Sequence, residues 1–318
     1  NGTNLGITNV KTPVSTDYAK LNWAAKIGTS ASEDMSSTVY AGQPVIWNGA
    51  MFVTAGRKLY KLSLTDGHVL AEATMAAQDS YGTTPPTVSG GIVYVSQQGG
   101  RMQAFNAQTL AVVWTAQNLS SNGQNSCPIL VSDGRVYTGY WSTEEAAQNF
   151  VCLDAANGTV IWKHENKGGY YWAGAVAVGD YIFVGTDDGQ AAEKNGASQI
   201  LSFWKDQTTG TPAKTLSLPG LGDVRSSLAV SGGRVYFTTK GGYLCSAKAD
   251  GTTGELSDLQ TLLIGASTST PVVYDGFVYV GVGTGSGPNG SFVVVKEDAG
   301  TKALSFVKSV ALSGSAQG

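Results

Sequence analysis

Six times along this chain a Gly or Asp is followed by two residues and then by Phe or Tyr, each time inside a β-branched run. The phrases are Gly49 to Phe52, Gly91 to Tyr94, Gly134 to Tyr137, Asp180 to Phe183, Gly233 to Tyr236 and Gly276 to Tyr279. Successive aromatics lie 42, 43, 46, 53 and 43 residues apart. A tandem array of small sheets has such a period, and a conventional domain does not. A unit of about 45 residues cannot bury both faces of its own sheet, so it must stack on its neighbours. Length alone would permit two domains at about 100 to 200 residues each. The repeat instead makes residues 1–318 one toroid.

Each unit resolves into four short runs bounded by Gly, Pro, Asn and Asp, the pattern of antiparallel strands. In the second unit these are Thr84 to Val88, Ile92 to Ser96, Arg101 to Phe105 and Ala111 to Thr115. In the third they are Pro128 to Val131, Arg135 to Gly139, Phe150 to Asp154 and Thr159 to Trp162. The turn Asp154 to Gly158 before the last run has a mechanism: Asp or Asn bonds its own backbone, and Gly supplies the left-handed residue. Four antiparallel strands repeated radially predict an all-β fold, a β-propeller of four-stranded blades. The predicted repeats cover residues 43–78, 83–120, 126–167, 172–220, 225–265 and 269–312, after an extension over 1–19 and a closing strand over 20–27. Trp23 in that strand falls where Trp114 and Trp162 fall, ahead of the next inner strand. With six complete repeats and one outer strand, seven blades are expected, and a six-blade ring is the alternative.

The stretch Val151 to Trp162, reading Val-Cys-Leu-Asp-Ala-Ala-Asn-Gly-Thr-Val-Ile-Trp, with Asp133 to Tyr137 before it, resembles the repeat of pyrroloquinoline-quinone-type propellers. Met102 to Trp114 is similar but carries Leu110 where the repeat has Gly. The resemblance extends over all units, weakest in the fourth and fifth. It implies the propeller fold. That family includes quinone-dependent dehydrogenases, the propeller lipoprotein of outer-membrane barrel assembly and bacterial cell-surface proteins, so fold does not choose a function.

Composition narrows the choice. Gly supplies 42 of 318 residues, roughly twice its usual share, as turns require. Charged residues are 14%, with a formal net charge of −3. No basic patch is available for phosphates, so nucleic acid is not an expected partner. No run approaches the roughly 18 apolar residues of a membrane span. The chain begins at Asn1 with no charged n-region or apolar h-region, as expected of a processed form from which an export signal has gone. An exported location, cell surface or extracellular with the periplasm as alternative, and a monomer are expected. Cys127, Cys152 and Cys245 are odd in number and far apart, and read as small buried hydrophobes.

Much chemistry lacks its residues. A quinone dehydrogenase of this class, as the resemblance implies, would carry adjacent cysteines on the cofactor and a calcium beside a catalytic Asp. No two cysteines here are adjacent, so no redox cofactor is expected. His68 and His164 are the only histidines, on separate outer strands, so neither a His-based metal site nor a Ser-His-Asp triad is expected. The string Gly285 to Gly290 matches Gly-x-Gly-x-x-Gly but opens no helix, and reads as a hairpin loop.

In a propeller, the loops joining second to third strands, and those joining one blade to the next, emerge on one face. Sorting this chain's loops to that face gathers Tyr140, Trp141, Tyr170, Tyr171, Trp172, Asp187, Asp188, Asp223, Arg225 and Lys240, around blades three to five. Tyr81, Asn122 to Asn125, Glu144 and Glu145 fall there too. Rings beside carboxylates and a guanidinium suit a glycan or peptide ligand. The expected function is a non-catalytic binding or scaffold propeller. A glycan-active enzyme using paired carboxylates is the alternative. Equally, Trp172 can pack between blades and Arg225 with Asp187 or Asp223 can be an ion pair that only holds the ring.

Overall fold

Turn chemistry fixes where the strands end. Oδ1 of Asp154 accepts hydrogen bonds from the backbone N–H of Ala156 and Asn157 at 2.8 and 3.2 Å. Asn106, Asp250 and Asp298 do the same at the corresponding turns. The computed structural model describes residues 21–27, 41–77, 84–121, 123–141, 149–166, 168–188, 198–283 and 290–314. No helix occurs among them, and every strand belongs to a four-stranded antiparallel sheet.

Blade 1 consists of β1 (Val45–Trp47), β2 (Ala50–Ala55), β3 (Lys58–Ser63) and β4 (Val69–Thr74). Blade 2 has β5 (Thr87–Ser89), β6 (Ile92–Gln97), β7 (Arg101–Asn106) and β8 (Val112–Ala116). Blade 3 has β9 (Leu130–Ser132), β10 (Arg135–Gly139), β11 (Asn149–Asp154) and β12 (Val160–Glu165). In blade 4 are β13 (Val176–Val178), β14 (Tyr181–Gly185), β15 (Gln199–Trp204) and β16 (Lys214–Ser217). Blade 5 holds β17 (Ala229–Ser231), β18 (Arg234–Thr238), β19 (Tyr243–Ala249) and β20 (Leu256–Leu263). Blade 6 holds β21 (Val272–Tyr274), β22 (Phe277–Val282), β23 (Ser291–Glu297) and β24 (Leu304–Ala311). Strands pair in sequence order within each sheet. In blades 1, 2, 3, 5 and 6 the third and fourth strands slip register at the same place, between Lys61 and Leu62 in the first. Such bulges add twist. The chain is an all-β propeller.

Five apolar clusters lie between consecutive blades, and the repeated aromatic faces the blade that follows. Phe52 packs on Val93 and Phe105 of blade 2, and Tyr94 packs on Val136 and Val151 of blade 3. Tyr137 packs on Ile182 and Phe203, Phe183 on Val235, and Tyr236 on Val278 and Val293. All three cysteines are buried thiols. Burial pushes Cys127 up to about 12 and Cys152 to about 11.

Tryptophans on outer strands cap the turn of the next blade. Trp114 lies over Gly158, leaving no room for a Cβ, and donates from Nε1 to the Ala155 carbonyl at 3.0 Å. The same volume logic explains Leu110. Blade 1 offers Ala71 and Ala73 instead of a Trp, and Leu110, 3% exposed, fills that space while accepting a φ of +59°.

The expected closing strand differs. Lys20 lies outside the described residues, and 21–27 form no strand. Trp23 nevertheless donates to the Leu64 carbonyl at 2.8 Å and covers Gly67, and Ile27 packs beside Val53, Tyr60 and Leu62 of blade 1. Residues 285–289 of the Gly285 to Gly290 string also lie outside the described residues. Both histidines have local partners: His68 Nδ1 lies 2.6 Å from Asp66 Oδ1, and His164 Nδ1 lies 2.8 Å from the Gly210 carbonyl.

Candidate functional site

The connections from blade 2 to blade 5 lock together before any side chain on them can act. Trp141 and Gln124 exchange backbone hydrogen bonds at 2.6 and 3.1 Å, tying the loop after β10 to the blade 2–3 connection. The Tyr170 N–H donates to the Tyr140 carbonyl at 3.2 Å, and the Asp187 N–H to the Gly169 carbonyl at 3.1 Å. Gly168 sits against the backbone of Asp187 and Asp188, where a Cβ has no space. Asn166 Nδ2 donates to the carbonyls of Gly169 and Asp187, both at 3.0 Å. The Val224 N–H donates to the Thr186 carbonyl at 3.2 Å, and the Lys240 N–H to the Asp223 carbonyl at 3.0 Å.

On this frame the ten candidate residues separate into two layers. Tyr140, Tyr170, Asp187, Asp223 and Arg225 are buried, whereas Trp141, Tyr171, Trp172, Asp188 and Lys240 reach the surface in part. Tyr140 and Tyr170 are 0% exposed, so they support the loops from beneath. Tyr140 donates from its hydroxyl to the Arg101 carbonyl at 2.9 Å.

The floor is ionic. Arg225 Nε donates to Asp187 Oδ2 at 2.5 Å, and its Nη2 lies 3.5 Å from Asp223 Oδ2. The Asp188 N–H donates to Asp223 Oδ1 at 3.0 Å. These contacts clasp blade 4 to the blade 4–5 connection. Burial, with repulsion from Asp187, raises the Asp223 carboxyl from 3.8 to about 7. Asp223 Oδ2 and Trp141 Nε1 are buried without a hydrogen-bond partner.

The upper layer is a row of rings. Trp172 stacks on Tyr171 at 4.4 Å and 24°, and Tyr171 meets Trp141 at 4.8 Å and 46°. The guanidinium carbon of Arg225 lies 4.8 Å from the Tyr171 centroid and 6.0 Å from that of Trp141. A buried cation therefore props up the row through its π faces. Trp172 has φ +58°, a left-handed backbone that a bulky residue adopts only at a cost of about 1 to 2 kcal/mol.

Asp187, Asp188 and Asp223 each bring a carboxylate oxygen within 4.8 Å of the others, a cluster with metal-ligand character among the described residues. Arg225 already supplies a cation to two of the three. Tyr81, Asn122, Glu144 and Glu145 lie outside the described residues. Sequence reasoning missed Asn166 and Gly168. The Gly168-Gly169 pair after an Asn was the available signal of a close backbone approach.

Comparison with known proteins follows the fold. A family model described as outer membrane protein assembly factor BamB matches residues 19–144 and 118–303. No curated protein matches the sequence significantly. Among solved structures, BamB from Moraxella catarrhalis is similar at TM-score 0.62 and 18% identity, over 85% of this chain and 72% of that one. Quinohemoprotein alcohol dehydrogenase from Comamonas testosteroni gives TM-score 0.64 at 14% identity, over 87% and 61%. One from Pseudomonas putida HK5 gives 0.58 at 14%, over 83% and 54%. The chain thus spans less than two thirds of either dehydrogenase. At these identities the likeness is one of fold.

Proposed function

We propose that this chain, which belongs to the family of outer membrane protein assembly factor BamB, is a non-catalytic binding scaffold of the bacterial envelope that holds a segment of a partner protein on the row Trp172, Tyr171 and Trp141. The observation that carries this reading is the backbone of Trp172. A large ring held at φ +58° in a loop, stacked in a row and partly open to solvent, keeps a backbone conformation that costs about 1 to 2 kcal/mol. Strain of that kind is characteristic of binding sites. Aromatic rings present large contact area at low entropic cost, and the row lies above a rigid floor that needs no reorganisation on binding.

The row suits an extended peptide with apolar side chains. Catalysis is less well supported. The nearest carboxylates, Asp187 and Asp223, are buried and engaged by Arg225, so neither is placed to meet a substrate. A peptide array and a glycan array probed with the purified protein test the reading. Trp172→Gly relieves the left-handed strain while removing the ring and its stack on Tyr171, two effects of similar size, so stability changes by less than about 1 kcal/mol, whereas binding to peptides falls about thirtyfold, the loss of a 2 kcal/mol anchor. Unchanged peptide affinity would remove the row from the site. Saturable binding to glycans alone would reassign the ligand.

A further inference from the structure

A ligand lying on the row of rings meets π surface and little usable main chain. Trp141 uses its N–H and its carbonyl on Gln124, at 3.1 and 2.6 Å, and this pair is an isolated bridge, not the edge of a sheet. The Trp172 carbonyl accepts from the Gly174 N–H at 3.0 Å, and the Tyr170 N–H is taken by the Tyr140 carbonyl. Beneath the row, the Asp187 N–H goes to the Gly169 carbonyl, the Asp188 N–H to Asp223 Oδ1 and the Lys240 N–H to the Asp223 carbonyl. Strand addition draws its affinity from main-chain hydrogen bonds along an open edge. Among the described residues the row lacks such an edge.

The rings themselves narrow the choice further. Trp172 gives one face to Tyr171, and Tyr171 has Trp172, Trp141 and the Arg225 guanidinium around it. What remains to a ligand is the other face of Trp172 and the line of ring edges. The indole nitrogens differ in the same sense. Trp141 Nε1 is buried, whereas Trp172 is half-buried and its Nε1 is an accessible donor without a partner among the described residues. Arg225 lies 2.5 Å from Asp187 and 3.5 Å from Asp223, so its charge is matched from below and the row calls for no counter-ion. An uncharged contact segment complements it. The two ring steps of 4.4 and 4.8 Å carry the row over at most about 9 Å, one turn of polyproline II at three residues of about 3.1 Å each. Same-face residues of a β-strand recur after only about 6.7 Å.

Resting on the reading of the row as a peptide site, we propose that its ligand is a proline-rich segment in the polyproline II conformation, with prolines three residues apart on Trp172 and Trp141 and a carbonyl of the segment accepting from Trp172 Nε1. Proline has no N–H, so such a chain leaves no main-chain donor unmet on a surface that offers it no acceptor. Its carbonyls remain, and Trp172 Nε1 meets one of them. Polyproline II has no internal hydrogen bonds to break and a φ already set, so little conformational freedom is lost on a row that is itself held rigidly. The pyrrolidine ring is compact and uncharged, and its C–H groups lie well against the electron-rich face of an indole. A helix fits less well, because its apolar stripe at i, i+3, i+4 and i+7 needs a groove with two walls, and the row is a single line of three rings.

Calorimetric titration of the purified protein with a polyproline peptide of about nine residues, three turns of the helix, tests the proposal beside an alternating Leu-Ser peptide of the same length. The expected result is saturable binding of polyproline and weaker binding of the Leu-Ser peptide. Trp172→Phe keeps a ring stacked on Tyr171, and so the fold, but removes the indole donor; it should weaken polyproline binding about tenfold, one hydrogen bond's worth. Trp172→Gly should weaken it about thirtyfold. Equal affinity for the two peptides, lost in Trp172→Gly, overturns the proline-rich ligand and leaves the row a general apolar peptide site. Polyproline affinity that Trp172→Phe leaves unchanged overturns the hydrogen bond from Nε1. Affinity for both peptides that Trp172→Gly leaves unchanged overturns the proposal together with the row as a site, and so does binding of neither peptide where a glycan binds.

Discussion

The junction between blades 4 and 5 and the gap between blades 6 and 1 use the same repeat to opposite ends. At the junction, Phe183 and Val235 meet with no exposure, and Arg225 clasps Asp187 and Asp223 beneath the ring row. At the gap, Tyr279 and Tyr274 face outward and Trp23 is the main anchor at the far side. A blade's strands and turns form from its own sequence, whereas the burial of its face depends on what stands next to it. Side chains of one type at one repeat position therefore carry very different energies.

The largest effect that would sharpen this contrast is expected at the clasp. Arg225→Ala leaves the Asp187 carboxylate buried without its counter-charge and should cost about 3 to 5 kcal/mol in urea unfolding. A cost below about 1 kcal/mol would mean that the clasp does not hold the junction. Next comes a pair of glycines. Gly67→Ala meets both a left-handed backbone and Trp23, and should cost about 3 kcal/mol, whereas Gly276→Ala, at the same φ with open space around it, should cost about 1 kcal/mol. Equal losses would show that Trp23 does not anchor the gap.

A third effect is a pH slope. The folded Asp223 carboxyl keeps its proton up to about pH 7, against 3.8 for the ordinary group, so its contribution is full below pH 3.8 and is lost as pH rises through 7. Between pH 5 and pH 8 the loss should be on the order of 2 kcal/mol, and Asp223→Asn should flatten it. A slope unchanged in that variant would place the titration elsewhere. Smallest is Tyr274→Ser in residues 1–318, expected to change stability by less than about 0.5 kcal/mol because the ring is 73% exposed. A larger loss would mean that the blade 6 face is already covered.

Much of the fold was legible in the residues. Phrases of Gly or Asp, two residues and an aromatic located the second strand of every blade, and the Asp and Asn turns located the passage from the third strand to the fourth. Leu110, the departure from the repeat, was legible only as an irregularity until the missing Trp in blade 1 explained it. The candidate site was read less completely. Ten residues were gathered to one face, but adjacent members of the same loop part company: Tyr140 is buried and Trp141 reaches the surface, as do Tyr170 and Tyr171. Loops lack a fixed period, so no alternation rule assigns their side chains to inside or outside.

By itself the sequence determined the period, the four-stranded unit, the turns and the place of the repeated aromatic in each unit. These depend on local backbone preference and on alternation along a strand, both written residue by residue. Tertiary structure alone decided that Arg225 reaches Asp187 across 38 positions of sequence, that Trp23 lies over Gly67, and that one face of blade 6 stays open. Contacts between blades depend on how closely two backbones approach. That distance is set by the packing of the whole array, and no single repeat encodes it.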